Sequence, residues 1–403
     1  VQELTIEGAA RVSDYNVGNT GTVYAYNVGG TYAPVRDVRF RAGYGRSVRA
    51  PTLGNLFSAS SQTFLNGAQD PCGQQNINNN PNRVRNCAAA GVPTTQTFAG
   101  TTEPFTNRPS SGISGFNRGN PELEEERGES ITIGAVFQPR FAPGLSLTVD
   151  YYDIRIDDVI FALAPQTIIN QCYDSPTGID NPFCAVVFRN PNGTFQGQSN
   201  VLHAGQTISF ERTGPSFFSQ PFNFARQETR GIDFDLAYRT RITDDVTLNL
   251  RTIVSHTLRR NNFTNIQDPT FAQRQLSELG DPTFAGQATV GLDFGNWDFQ
   301  YQFRYIAGTT LANPGQGTGT FETQNPFQGR PAQDPDAFPQ IFFPDVYYHD
   351  FRLGFEPVEQ FRFYAGVDNA FDRDPPLGLL GTAGGDPYQN VGRFFYAGAE
   401  VKF

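Results

Sequence analysis

About twelve segments of this 403-residue chain alternate between apolar and polar side chains, and after the first hairpin, whose loop near 15–20 is modest, the connections between them alternate between short and long. Successive side chains on a strand point to opposite faces, so each segment has one apolar wall and one polar wall. Leu145, Leu147, Val149 and Tyr151 oppose Ser146, Thr148 and Asp150. Trp297, Phe299, Tyr301, Phe303 and Tyr305 oppose Asp298, Gln300, Gln302 and Arg304. The last segment sets Phe395, Ala397, Ala399, Val401 and Phe403 against Tyr396, Gly398, Glu400 and Lys402. Turns near 34–37, 139–144, 242–245, 295–296 and 356–360 are short, whereas connections near 49–127, 160–220, 259–284, 308–345 and 373–392 are long. A soluble sandwich has no reason to gather its long loops at one end. An all-β, antiparallel transmembrane β-barrel does, with short turns on the inner side and long loops outside. After Tyr151 the parity slips, with Ile154 and Ile156 joining the other face; a bulge or the exit from the membrane would do this.

Composition agrees with a barrel and removes other classes. Mean hydropathy is −0.42, and no run approaches the roughly 18 apolar residues of a membrane helix. A barrel strand gives little net hydropathy, because half of it faces a polar interior. The net charge of −10 argues against nucleic acid, which needs a basic footprint. The chain contains no methionine, so it is expected to be processed, truncated or part of something longer. Cys72 and Cys87 are close together in one polar loop, and Cys172 and Cys184 in another. That spacing predicts two local disulfides and an oxidising compartment; the competing reading is four free or metal-bound thiols. No CxxC spacing or histidine cluster points to zinc, and neither a metal nor a cofactor is expected.

The polar wall is dense in charge. Arg39, Arg41, Asp150, Asp233, Asp235, Arg239, Arg251, Asp298, Arg304, Arg352, Arg362 and Asp368 share it with Glu400 and Lys402. A dry core does not hold so many charges, so these residues are expected to face a watery lumen or a polar plug.

Several short motifs then resemble one family in order. Residues 46–57 read RSVRAPTLGNLF, similar to the Arg-Ala-Pro segment of TonB-dependent outer-membrane receptors. Residues 120–123 (NPEL), with Glu125 and Gly134, resemble that family's Asn-Pro-x-Leu stretch and the strand after it. LSLTVDYYDIRI at 145–156, Tyr348-His349-Asp350, the VDNAFD run at 367–372 and the terminal Phe403 resemble later strands. The resemblance implies a 22-stranded barrel in the bacterial outer membrane, enclosing a plug that the TonB–ExbB–ExbD complex pulls on. It implies a transport receptor, not an enzyme, that imports a scarce bulky nutrient such as a siderophore, a cofactor or an oligosaccharide. About twelve strands with no plug and no TonB box correspond to the C-terminal part of such a barrel. The missing plug and early strands are therefore expected as partners, on the same protein or another chain, with Val1 at a break. Outer-membrane lipid and lipopolysaccharide would surround the wall, the assembly machinery would read Phe403, and both termini would be periplasmic. The competing readings are a self-contained 12-stranded pore or enzyme, and a soluble β-protein whose aromatic face packs on protein. Ser255 and His256 do not make a hydrolase pair, because neighbours on a strand face opposite ways.

Candidate ligand residues are few. Arg46 and Arg49 are placed to meet an anionic ligand, or to pair within the loop root. Glu122 and Glu125 beside Arg127 would guide a cation or hold calcium; the plainer reading is a solvated strand end. His203, His256 and His349 do not converge in the pattern.

Overall fold

The computed structural model describes residues 1–402 except 99, 108–110, 199–200, 204–205, 209–213, 267, 311–341, 379–380 and 383–386. Phe403, most of the connection near 308–345 and part of that near 373–392 therefore lie outside the described residues.

Twelve strands form one antiparallel meander in chain order. They are β1 (Glu3–Tyr15), β2 (Gly21–Val35), β3 (Val38–Arg49), β4 (Glu126–Phe137), β5 (Leu145–Ala162) and β6 (Pro221–Thr243), then β7 (Val246–Phe263), β8 (Phe284–Phe294), β9 (Trp297–Ile306), β10 (Val346–Val358), β11 (Phe361–Asp368) and β12 (Phe394–Val401). β1 and β12 each pair on one side only, so the sheet is open. The turns β2–β3, β4–β5, β6–β7, β8–β9 and β10–β11 fall at one end, which we call the turn end; the long connections, together with the short β1–β2 link at 16–20, fall at the other, the loop end.

The apolar face has no cover among the described residues. Ile6 is 77% exposed on β1 and Phe395 71% on β12. Such a face needs lipid or a protein partner. On β9 and β10 the aromatics pair across strands, Trp297 with Phe355 at 4.3 Å and Tyr301 with Phe351 at 5.1 Å between ring centroids. His349 lies in the same ladder, its Nδ1 2.8 Å from the Tyr301 hydroxyl.

The apolar band stops at a definite height. The ladder of β5 against β4 and β6 runs unbroken from Leu147 to Ile156. No bulge therefore moves Ile154 and Ile156; they keep the parity of Asp150. Their outward neighbours have changed instead, to Asp153 paired with Arg230 and Arg155 paired with Asp157. Charges on that face mark the exit from the apolar band. The irregularity comes later, where Asp158 adopts a left-handed φ of 57°.

On the polar face the charges pair across strands. Arg39 meets Glu3 at 2.9 Å, Arg362 meets Asp298 at 2.8 Å, Arg251 meets Asp235 at 3.2 Å and Arg304 meets Asp350 at 3.4 Å. Ser255 donates to Asp233 at 2.6 Å. Arg352 instead stacks on Tyr364, 4.8 Å from the ring centre. Three pairs reach over an intervening strand, Arg39–Glu3 over β2 and two others that pass over a glycine. Arg41 on β3 reaches Asp150 on β5 across Gly134 of β4, with Nε 2.8 Å from Oδ1. A Cβ on Gly134 would lie 1.8 Å from that oxygen. Arg362 reaches Asp298 across Gly354, where a Cβ would lie 2.1 Å from Asp298 Oδ1. Gly134 is small because a salt bridge passes over it.

This makes a prediction for the intact protein. Gly134→Ala should lower thermal stability by about 1–3 kcal/mol, the usual cost of overpacking. In an Asp150→Ala background the same change should be neutral or mildly stabilising, since glycine weakens strands. Thermal unfolding in detergent checks this; equal losses in both backgrounds would contradict the reading.

Candidate functional site

The connection after β3 and the connection after β5 fold into one cap at the loop end. Strands Ser61–Asn66 and Gly112–Asn117 of the first take Phe218–Ser219 of the second into a small sheet. Helices α1 (Leu53–Phe57), α2 (Arg83–Ala89) and α3 (Pro165–Asp174) complete the cap. Its core holds Phe105, Ile113, Ile169, Phe195 and Phe217 against the cysteines. Cys72–Cys87 and Cys172–Cys184 are disulfides closing loops of 15 and 12 residues. Loops of this size remove about 3 kcal/mol of unfolded-state entropy each.

Two buried ion pairs lock the cap. Arg189 donates from Nη1 and Nη2 to Asp70, both at 2.7 Å, and from Nε to the Tyr173 hydroxyl at 2.6 Å. Asp70 also accepts from the Cys72 N–H at 2.8 Å and from Asn107 at 3.0 Å. Burial pulls the Arg189 guanidinium down, but the charge of Asp70 and the hydrogen bonds outweigh it and hold it above its ordinary value. Burial pushes the Tyr173 phenol up. Arg83 grips Asp174, its Nη2 3.0 Å from Oδ2. Sequence reasoning missed this network, because Asp70 and Arg189 are separated by 119 residues with no motif around either.

Between cap and sheet lies a cleft of about 880 Å3. Leu56, Phe57, Leu123, Phe183, Phe222 and Phe224 supply apolar wall, and Glu122, Glu124 and Asp158 are on its lining. Most of its polar side chains are engaged in holding the loops. Asn223 donates to the Glu124 carbonyl at 3.0 Å and the Asp158 carbonyl at 2.8 Å. Asn120 donates to the Pro221 carbonyl at 2.8 Å, and Arg118 to Gln220 at 2.9 Å. Burial holds the Arg118 guanidinium below its ordinary pKa.

The predicted site residues do not converge. Glu122 reaches the cleft and accepts from Asn19 at 3.0 Å. Glu125 pairs with Arg127 at 2.9 Å. Arg49 pairs with Glu126 across β3 and β4 on the polar face. Arg46 has the parity of Tyr44 and lies on the opposite, apolar side. His256 Nδ1 lies 3.0 Å from the Thr283 carbonyl, and its ring touches Phe284 rather than His349, from which β8 and β9 separate it. Among the described residues no group of three His, Cys, Asp or Glu side chains is placed to hold a metal.

The motifs, by contrast, do meet. Thr52 Oγ1 accepts from the Asn55 N–H at 3.1 Å while Asn55 Oδ1 accepts from the Thr52 N–H at 3.0 Å, a reciprocal cap on α1. The Asn120 N–H then donates to the Asn55 carbonyl at 2.8 Å, joining RAPTLGNLF to NPEL. At the other side Asn369, with φ 49°, accepts from the Arg373 N–H at 2.8 Å and donates from its own N–H to Asp350 at 2.7 Å. Asp372 accepts from the Arg393 N–H at 2.7 Å, where the chain enters β12.

A family model described as TonB dependent receptor-like, beta-barrel, matches residues 1–370. The chain belongs to this TonB-dependent receptor family. No curated protein matches it. Among solved structures it is similar to the ferric enterobactin receptor PfeA from Pseudomonas aeruginosa, with 12% identity and a TM-score of 0.57. It is similar also to the siderophore receptor PirA from Acinetobacter baumannii, with 12% identity and a TM-score of 0.58. Each match covers 100% of this chain, but only 43% of the first structure and 44% of the second. The chain thus spans less than half the length of these receptors, and at this identity the likeness is one of fold. The outer-membrane β-barrel class is common to the family.

The cap yields the second prediction. Arg189→Met leaves Asp70 buried without its partner and should cost about 3–5 kcal/mol of local stability. Limited proteolysis of the folded receptor should then cut within 50–125 and 163–220 while the sheet stays intact. A cap as resistant as the wild type would contradict the role given to Arg189.

Proposed function

We propose that this chain is the C-terminal part of a TonB-dependent outer-membrane receptor that takes up a scarce, bulky nutrient. The family match over residues 1–370 carries this reading. Transport rather than catalysis follows the family. The open sheet supports a larger barrel, completed by strands outside this chain, over a self-contained 12-stranded pore. In that barrel the polar face lines the lumen, and its paired charges give a wetted wall that a plug can slide against. The cap is extracellular and the turn end periplasmic, the usual arrangement of long loops and short turns. Energy comes through TonB acting on the plug.

Two outcomes follow. Cells that rely on the full-length polypeptide, tested with ferric siderophores, cobalamin and neutral oligosaccharides, should accumulate one of these only while TonB is present. Accumulation that persists without TonB, or accumulation of none of the three classes, would sink the proposal. On intact cells an impermeant maleimide should label Asn192→Cys in the cap and leave Asp244→Cys in the β6–β7 turn unlabelled. The reverse pattern would invert the orientation.

A further inference from the structure

Where β5, β6 and β7 rise past the apolar band, the polar face carries a second pocket of about 340 Å3. Two cross-strand rows build it. Ile154, Thr229 and Arg260 lie side by side, and so do Ile156, Gln227 and Asn262. The returning loop adds Gln275, whose N–H donates to the Arg260 carbonyl at 2.8 Å, and Asp281, which pairs with Arg260.

The chemistry of this lining is unlike that of the larger cleft. There, most of the polar side chains hold the loops in place. Here the carboxamides of Gln227, Asn262 and Gln275 make no hydrogen bond to the described residues, and all three line one pocket. Each offers an acceptor and two donors. The two isoleucines give an aliphatic surface beside them. Among the described residues no unpaired cation lines the space: Arg260 is neutralised by Asp281, and Glu228 is held by Arg226 at 3.2 Å and Arg259 at 3.4 Å. An anionic ligand would find nothing here to balance its charge. A ring of hydroxyl groups fits, because each hydroxyl both donates and accepts, while the C–H face of the ring covers the isoleucines.

We propose that this pocket binds a neutral saccharide, so that Gln227, Asn262 and Gln275 are specificity residues of the receptor. The proposal rests on the uptake reading, since it takes the polar face as the wall past which the nutrient moves. The same assignment accounts for the sequence pattern: Ile154 and Ile156 occupy polar-wall positions because a ligand, not lipid, covers them.

The test is binding by the purified full-length receptor in detergent, which needs no TonB. An array of neutral oligosaccharides, with ferric enterobactin as the anionic comparison, is titrated against wild type and against Gln227→Ala, Asn262→Ala and Gln275→Ala. The account expects at least one neutral saccharide to bind and ferric enterobactin not to. Each substitution should weaken saccharide binding about tenfold, as the loss of one ligand hydrogen bond does. The near-isosteric Gln227→Glu and Gln275→Glu keep size and strand pairing while removing donors, and should weaken it similarly with unchanged thermal unfolding. Binding of ferric enterobactin but of no saccharide, or saccharide binding indifferent to all five variants, would overturn the proposal. If no saccharide binds and another nutrient still enters through TonB, only this site assignment fails. If the saccharide binds and uptake ignores TonB, the transport reading fails and the site stands.

Discussion

Residues opposite one another in an antiparallel ladder point to the same face, so a strand's choice of face is imposed on its neighbours. In this sheet the ladders run in chain order from β1 to β12. One face therefore becomes continuously apolar and the other continuously polar. From β2 to β11 each strand is paired on both sides, whereas β1 and β12 pair on one side only; crossing a bilayer with strands requires those two edges to be paired as well. Everything else depends on that division: where the aromatic ladder lies, where salt bridges can form, and where glycine is required.

The two faces are stabilised differently. On the apolar side, cross-strand aromatic pairs such as Trp297 with Phe355 fill the surface that meets lipid. On the polar side, half-exposed ion pairs in water contribute about 0–1 kcal/mol each. Their value lies in self-neutralisation, which leaves a wall of low net charge. The cap follows a third regime. Asp70, Arg189 and Tyr173 are buried together with both disulfides, so its geometry is fixed by an ion pair that is costly to break.

Much of this was legible in sequence for a physical reason. A period of two over many segments is a strong signal, and loop length says which end of a strand is which. The charge lattice from Arg39 to Asp368 followed from the same parity. Gly134 stood in the motif, but only the packing shows that the Arg41–Asp150 bridge crosses it. The ligand residues were harder. Arg46 and Arg49 read alike as candidates for an anionic ligand, yet they stand three residues apart on one strand, an odd separation, and so face opposite ways. The Gln227, Asn262 and Gln275 cluster had no signal, because amides in a strand and a distant loop carry no spacing rule. Asp70 and Arg189 met only through the folding of two loops.

The two-faced wall is the claim on which the account turns, and spin labels along β9 test it most directly. Labels placed one at a time at Phe299, Gln300, Tyr301 and Gln302 of the full-length receptor in lipid are relaxed by dissolved oxygen and by a water-soluble nickel complex. The account predicts that positions 299 and 301 respond chiefly to oxygen and positions 300 and 302 chiefly to nickel. Equal response at all four positions, or alternation in the opposite phase, would contradict it.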